Sequence, residues 1–426
     1  MNPTTHCRPA VSGLLLIVLA ALLLPPAAVG QEAPDTASVT LEEALRENSY
    51  RLRVRNDSLR GPGGTWLRER AEEATIITLG ESHGTQEIPA IMGALLNDLQ
   101  DAWEVGHLAL EVSPWTADLM TDSLRRGPDT YAAFIEDRPA AIPFYSLRQE
   151  ADLVQNFVRR SNAKNPLWGL DQIFAFATDL ALDRLAALAP SPDARRAVAK
   201  VRTHVQSDSV TDPALQRLPS SMPTPLPLYS WAAFDTLGTS FLGVSEAQRL
   251  LDELATSARI YRLNDTNNYH SNQLRARYLR SNLQRQYDRA AKNQTDPPQV
   301  AIKVGGRHAY RGITPNNALD VGNLAVALAQ RTGGTALNVV IVCGPNSKSR
   351  DYPAGTSDCW SEHRSAFKSA LDDGPTLFDL TAIHPLLHEG PLDPPPKLER
   401  MLWGFDAVVI VPNAQPSTLI APIIER

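Results

Sequence analysis

The chain has 426 residues, 47 of them acidic and 41 basic, for a net charge of −6 at pH 7. With no lysine or arginine block, that balance argues against nucleic acid or an anionic membrane as the principal partner. The length admits one large domain with insertions or two ordinary ones.

The N-terminus reads as a secretory signal peptide. Arg8 lies in a short polar stretch, residues 11–24 are apolar, and the small residues Ala27, Ala28 and Gly30 suit signal peptidase. The apolar run is shorter than the ~20 residues a membrane span needs, so removal of residues 1–30 is expected and an uncleaved anchor is the competing reading. Cys7 precedes the run, which gives no support to a lipoprotein attachment site. No other segment is long and apolar enough to cross a membrane. Residues 31–426 are expected to form a single α/β domain, secreted or periplasmic.

Short β-branched runs then alternate with longer amphipathic stretches, the pattern of βαβ units and a mostly parallel central sheet flanked by helices. Strands are expected at 75–79, 107–112, 167–170, 300–304, 337–342 and 407–411, with 376–380 as a candidate seventh. Their near-continuous apolar character fits strands covered on both faces. Between the third and fourth lies a helical insertion, at about 175–292, punctuated by proline from 213 to 227. Residues 265–292 contain no glycine or proline and read as one long helix. Asn316, Asp320 and Gly322 precede a further helix at 323–330.

The chemistry is expected where these strands end, because open α/β sheets bind ligands at their carboxyl edge. The first strand runs into Gly80-Glu81-Ser82-His83-Gly84. Extended side chains alternate, so Glu81 and His83 share one side and Ser82 faces the other. The second strand delivers Glu111, the third Asp171, which is also a candidate helix cap, and the fourth leads to His308. A neutral imidazole beside a carboxylate can take a proton from water, and two can serve as base and acid. Lys303 and Arg307 offer positive charge to an oxyanion or an acidic substrate, or sit solvated at a rim.

The same pentapeptide matches G-x-S-x-G, the nucleophile elbow of α/β-hydrolases. That reading needs several strands and an oxyanion loop upstream, and only one obvious strand and no HGGG-type segment precede Ser82. Glu81, His83, Glu111 and His308 are residue types that zinc or manganese accepts, at a spacing that matches no ligand motif. His384 and His388 have Pro385 between them and no intervening acid, so they read as loop histidines, and Gly305-Gly306 is too weak for a phosphate loop. Cys343 and Cys359 are compatible with a disulfide worth roughly 3 kcal/mol in an oxidising compartment.

Taken together, Leu79-Gly-Glu-Ser-His-Gly-Thr-Gln-Glu87, Leu108-Ala-Leu-Glu111, Arg275-Ala-Arg-Tyr-Leu-Arg-Ser-Asn282, the turn to His308, Asp320-Val-Gly-Asn-Leu324 and Gly404-Phe-Asp-Ala-Val-Val-Ile-Val411 resemble the erythromycin esterase family. Its wider superfamily includes haem-binding ChaN-like proteins and TIKI-type metalloproteases. The resemblance implies an α/β fold with a helical insertion and a metal-independent, cofactor-free hydrolase in which histidine activates water against an ester or lactone of a small molecule. His83 would be the base, Glu81 and Glu111 its supporting acids, and His308 a second catalytic or substrate-binding imidazole. Arg275 and Asn282 fall where the family's long helix carries an arginine and an asparagine, and join Asp171, Lys303 and Arg307 as expected substrate-binding or supporting residues. One residue separates Glu81 from His83 where the esterases have two, which is closer to the ChaN-like form, and Ala276 stands where an aspartate commonly follows the arginine. A haem or small-ligand binding protein and a metal-dependent peptidase remain the alternatives.

Overall fold

Ile76-Ile77-Thr78 open the strand from which the molecule is organised, since β-branched side chains are stiff at χ1 and pack well on a pleated surface. A computed structural model describes residues 39–100, 106–138, 141–209, 237–292, 296–351, 355–390 and 392–420, and side chains throughout except at 205–209. The expected signal peptide and the proline-rich stretch at 213–227 lie outside the described residues. From Val39 onward the chain forms one compact unit.

Twelve strands occur among the described residues: β1 (Ser49–Arg51), β2 (Arg53–Arg55), β3 (Ser58–Arg60), β4 (Ile76–Glu81), β5 (His107–Leu110), β6 (Leu167–Gly169), β7 (Val300–Gly305), β8 (Ala336–Cys343), β9 (Lys348–Arg350), β10 (Thr356–Asp358), β11 (Thr376–Asp379) and β12 (Ala407–Val411). Eight make the central sheet, in the order β1-β11-β12-β8-β4-β7-β5-β6, while β2 with β3 and β9 with β10 form small ribbons. The six strands from β12 to β6 pair in parallel; β11 runs against β12, and β1 against β11. All seven expected strands are therefore present in a mostly parallel sheet. Edge strand β1 is additional: Ser49-Tyr50-Arg51 is partly exposed and too short to show a pattern.

The alternation of β4 feeds two cores. Ile77 and Leu79 join the cluster beneath helices Gly61–Glu72, Glu87–Gln100, Pro114–Arg126 and Arg148–Arg160, and Ile76 faces helices Asn268–Ala291, Val321–Arg331 and Pro396–Gly404. Each such fully buried aliphatic side chain contributes about 1.5–3 kcal/mol. A third cluster holds Thr178–Ala187, Pro192–Ser209 and Ser245–Thr266 together between β6 and β7.

Two local expectations are corrected. The helix expected over 265–292 instead begins at Asn268, because Asn267 (φ −157°, ψ 81°) breaks from Ser245–Thr266 and its side chain accepts the His270 N–H at 3.1 Å as an N-cap. His384 is not in a loop: it starts a short helix, His384–Glu389, bonds the Leu402 carbonyl through Nε2 at 2.9 Å and stacks on Trp403. Cys343 and Cys359 are joined in a disulfide.

Candidate functional site

From β4 the chain winds outward to β5 and β6, returns to insert β7 beside β4, and then crosses to β8 on the other side. The carboxyl end of β4 is thus the switch point at which doubly wound sheets leave a crevice. Glu81 ends β4 there, and its Oε1 accepts the His83 Nδ1–H at 2.8 Å. Ser82 faces away, its Oγ accepting the Cys343 N–H at 3.5 Å. The turn beyond requires Gly84: at φ +80°, a Cβ there would lie 2.4 Å from the Arg350 carbonyl oxygen.

Glu111, just past β5, is the centre of the constellation. Its Oε2 accepts the Gly305 N–H at 2.5 Å and its Oε1 accepts from Arg275 Nη2 at 2.8 Å. The two imidazoles approach it from either side, His83 Nε2 standing 3.8 Å from Oε2 and His308 Nε2 3.6 Å from Oε1. Gly305 makes this possible, since a Cβ there would sit 2.7 Å from His83 Nε2.

His308 repeats the arrangement of His83 with different parts. Its Nδ1 donates to Asp320 Oδ2 at 2.7 Å, while Asp320 Oδ1 accepts the Val321 N–H at 2.8 Å as the N-cap of Val321–Arg331. Each imidazole therefore has one nitrogen fixed by a carboxylate and the other turned toward Glu111, beyond hydrogen-bond reach.

Burial opposes ionisation of Glu111, but His308, Arg275, His83 and the Gly305 N–H outweigh it and bring the carboxyl down to about 2. Burial likewise opposes Glu81, and Lys303 with His83 prevails to hold it below its usual range. For both histidines burial disfavours the imidazolium, yet Glu81 and Glu111 raise His83 above 6.5, and Asp320 and Glu111 raise His308.

The other expected site residues divide into four groups. Arg275 and Asp171 do join the cluster, Arg275 Nε donating to Asp171 Oδ1 at 3.0 Å. Asn282 lies below it, buried, with Nδ2 donating to the Leu170 carbonyl at 2.7 Å. Lys303 is not a substrate-facing cation: alternation along β7 puts it with Ala301 on the face of helix Arg148–Arg160, its Nζ 2.5 Å from Glu81 Oε1 and 2.7 Å from Glu150 Oε2. Arg307 is an exposed rim residue that donates to Asn316 Oδ1 at 3.3 Å.

Four residues of the site were not identified from sequence as site residues: Phe144, Tyr145, Glu150 and Asp320. The Phe144 ring stacks on His83 with centroids 3.9 Å apart and planes at 7°. It does so from φ +62°, a conformation that costs a bulky residue about 1–3 kcal/mol and that clusters at functional sites. Tyr145 places its ring 5.3 Å from Lys303 Nζ.

Two roomy clefts, of about 740 and 680 Å³, lie elsewhere, along helices Pro114–Arg126 and Ser245–Thr266, and none of Glu81, His83, Glu111 or His308 lines them. The candidate site is therefore marked by convergent titratable groups and not by cleft volume. Among the described residues no group of three or more His, Cys, Asp and Glu is disposed to hold a metal ion, and both oxygens of Glu111 already accept N–H donors.

No family model and no curated protein matches the sequence. Solved structures do match it. An erythromycin esterase EreC mutant in its open conformation aligns over 84% of this chain and 95% of its own with a TM-score of 0.55 at 17% identity. A succinoglycan biosynthesis protein aligns over 89% and 98% with a TM-score of 0.56 at 13% identity, and a Bacillus cereus protein over 89% and 98% with 0.54 at 11%. At such identities the likeness is one of architecture. The chain has the mostly parallel α/β fold of these structures, that of erythromycin esterase among them.

Proposed function

We propose that this chain is a secreted or periplasmic hydrolase of erythromycin esterase-like type, in which His83 activates water for attack on an ester or lactone without a metal ion. One observation carries the reading: Glu81 fixes His83 Nδ1 at 2.8 Å, and Nε2, turned toward Glu111 at 3.8 Å, makes no hydrogen bond among the described residues. A water between His83 and Glu111 gives its proton to Nε2 as its oxygen bonds to the carbonyl carbon, and Glu81 balances the imidazolium that forms. His308, oriented by Asp320 and with its imidazolium favoured by Asp320 and Glu111, protonates the alkoxide when the tetrahedral intermediate collapses to acid and alcohol.

The charge of the site supports a neutral or cationic ester over a phosphate or carboxylate. Glu81, Glu111, Asp171 and Asp320 gather about the two imidazoles, the Arg275 guanidinium is already bound to two of them, and Lys303 is sealed behind a third. Among the described residues no helix is long and apolar enough to cross a membrane.

The test is a panel of neutral, cationic and anionic esters and lactones with purified protein. His83→Ala is expected to lower kcat/KM by about 10³-fold with the circular dichroism unchanged, whereas Ser82→Ala changes it by less than about threefold. Loss of activity in Ser82→Ala, with a covalent adduct from a serine-reactive phosphonate, would overturn the water mechanism.

A further inference from the structure

Behind Glu81 stands a second carboxylate that the hydrolytic reading does not use. Glu150 projects from the first turn of helix Arg148–Arg160 into the sheet, and Lys303 Nζ lies between the two acids, 2.5 Å from Glu81 Oε1 and 2.7 Å from Glu150 Oε2. All three side chains are sealed, at 1%, 1% and 0% exposure for Lys303, Glu81 and Glu150. Glu81 Oε2 and both oxygens of Glu150 accept no hydrogen bond among the described residues, so Glu150 meets Lys303 as an ion pair.

Stability does not account for such a triplet, because a buried ionic group can often be replaced by apolar residues at no loss or with a gain. Orientation does. The single oxygen Glu81 Oε1 receives both Lys303 Nζ and His83 Nδ1–H. An ammonium held by Glu81 alone would draw that oxygen's charge away from the imidazole, and a second acid on the far side of Lys303 divides its pull.

We propose that Glu150 is a positioning residue for His83: it shares the charge of Lys303, leaving Glu81 Oε1 free to hold the Nδ1 proton and to balance the imidazolium formed at His83. The proposal rests on the reading of His83 as the base. The charged and titratable groups facing Glu150 are Glu81 and His83 at the end of β4, Lys303 on β7 and Tyr145 ahead of its own helix. Burial, and then Glu81, push Glu150 up to about 7. Its negative charge is therefore present above that pH and lost below it. Glu81 should grip the imidazolium of His83 more strongly on the alkaline side.

The experiment is a ring-nitrogen NMR titration of His83 in the full chain, for the wild type, Glu150→Gln and Glu150→Asp, alongside pH-rate profiles. Glu150→Gln is expected to lower the His83 pKa by about one unit. It should cut kcat about fivefold above pH 7, with KM little changed, and leave the rate at pH 5.5 unaltered because wild-type Glu150 is then already neutral. Glu150→Asp, which keeps the charge on a shorter arm, should show a smaller shift of the same sign and restore part of the rate; it carries the test if the glutamine variant does not fold. A His83 pKa within about 0.2 unit of wild type in a folded Glu150→Gln protein overturns the proposal and leaves the hydrolase reading intact. A shifted His83 in a protein whose wild type hydrolyses no ester overturns that reading while upholding the hold of Glu150 on His83.

Discussion

The two imidazole–carboxylate pairs perform the same local act with opposite energetics. Glu81 and His83 are two residues apart on one strand end, and the His83 side chain is 27% exposed. His308 and Asp320 are twelve residues apart, and the His308 side chain is 7% exposed. The first pair is backed by a buried ion triplet and by a phenylalanine in a strained conformation. The second is backed by a helix N-cap, an ordinary stabilising device. The more accessible group, the base in the proposed reaction, is the one whose support costs stability.

If the pairs act as base and acid on one reaction, their losses will not multiply. His83→Ala and His308→Ala should each lower kcat/KM by about 10³-fold, and the double variant by little more than the worse single one. A multiplicative double loss would show that the pairs serve separate events. Next in size, Gly305→Ala places a methyl group 2.7 Å from His83 Nε2. It should cost about 10²-fold, as a displacement near 1 Å does, with the unfolding midpoint scarcely moved; unchanged kinetics would mean that Nε2 is not the reacting atom.

The energetic contrast is tested by two carboxylate variants. Asp320→Ala should lower unfolding stability by about 1 kcal/mol through the lost cap, as well as slowing turnover about tenfold. Glu81→Gln should slow turnover more and leave denaturant stability equal or higher. Reversal of that stability order would break the comparison. The smallest effect is on pH dependence. The base works when neutral, and His83 is raised above 6.5, so kcat/KM should climb only above the ordinary imidazole range. The acid works when charged, and His308 is also raised, so the descending limb is displaced to alkaline pH as well. His308→Gln should remove the descending limb alone.

Much of this was legible because a parallel sheet writes its strands as unbroken apolar runs and its site at their carboxyl ends. Glu81, His83, Glu111, Asp171 and His308 were all found by reading past the last apolar residue. The one-residue spacing sufficed to pair Glu81 with His83 and turn Ser82 away, as the 2.8 Å contact shows. Phe144 and Glu150 carry no such mark, arriving from a loop and a helix. A signal for Glu150 was nonetheless present: with Val154 and Phe157 it falls at helical spacing on the buried stripe of Arg148–Arg160. An acid in an apolar stripe and a lysine inside an apolar strand require each other, although only the fold shows that they meet. Asp320 was read as standing ahead of a helix, and its second bond, to His308, depends on the turn after β7.

At Asp320 that double engagement has a consequence for how the chain can change. Active-site groups are commonly places where a protein gains stability by giving up activity. Here the carboxylate that aims His308 also begins a helix, so under the proposed function selection for folding and selection for chemistry press in the same direction. A lineage that abandoned the substrate would be free to replace Glu150 and Lys303 with apolar side chains. It would still have reason to retain the aspartate, which would then persist as a relic of the lost reaction.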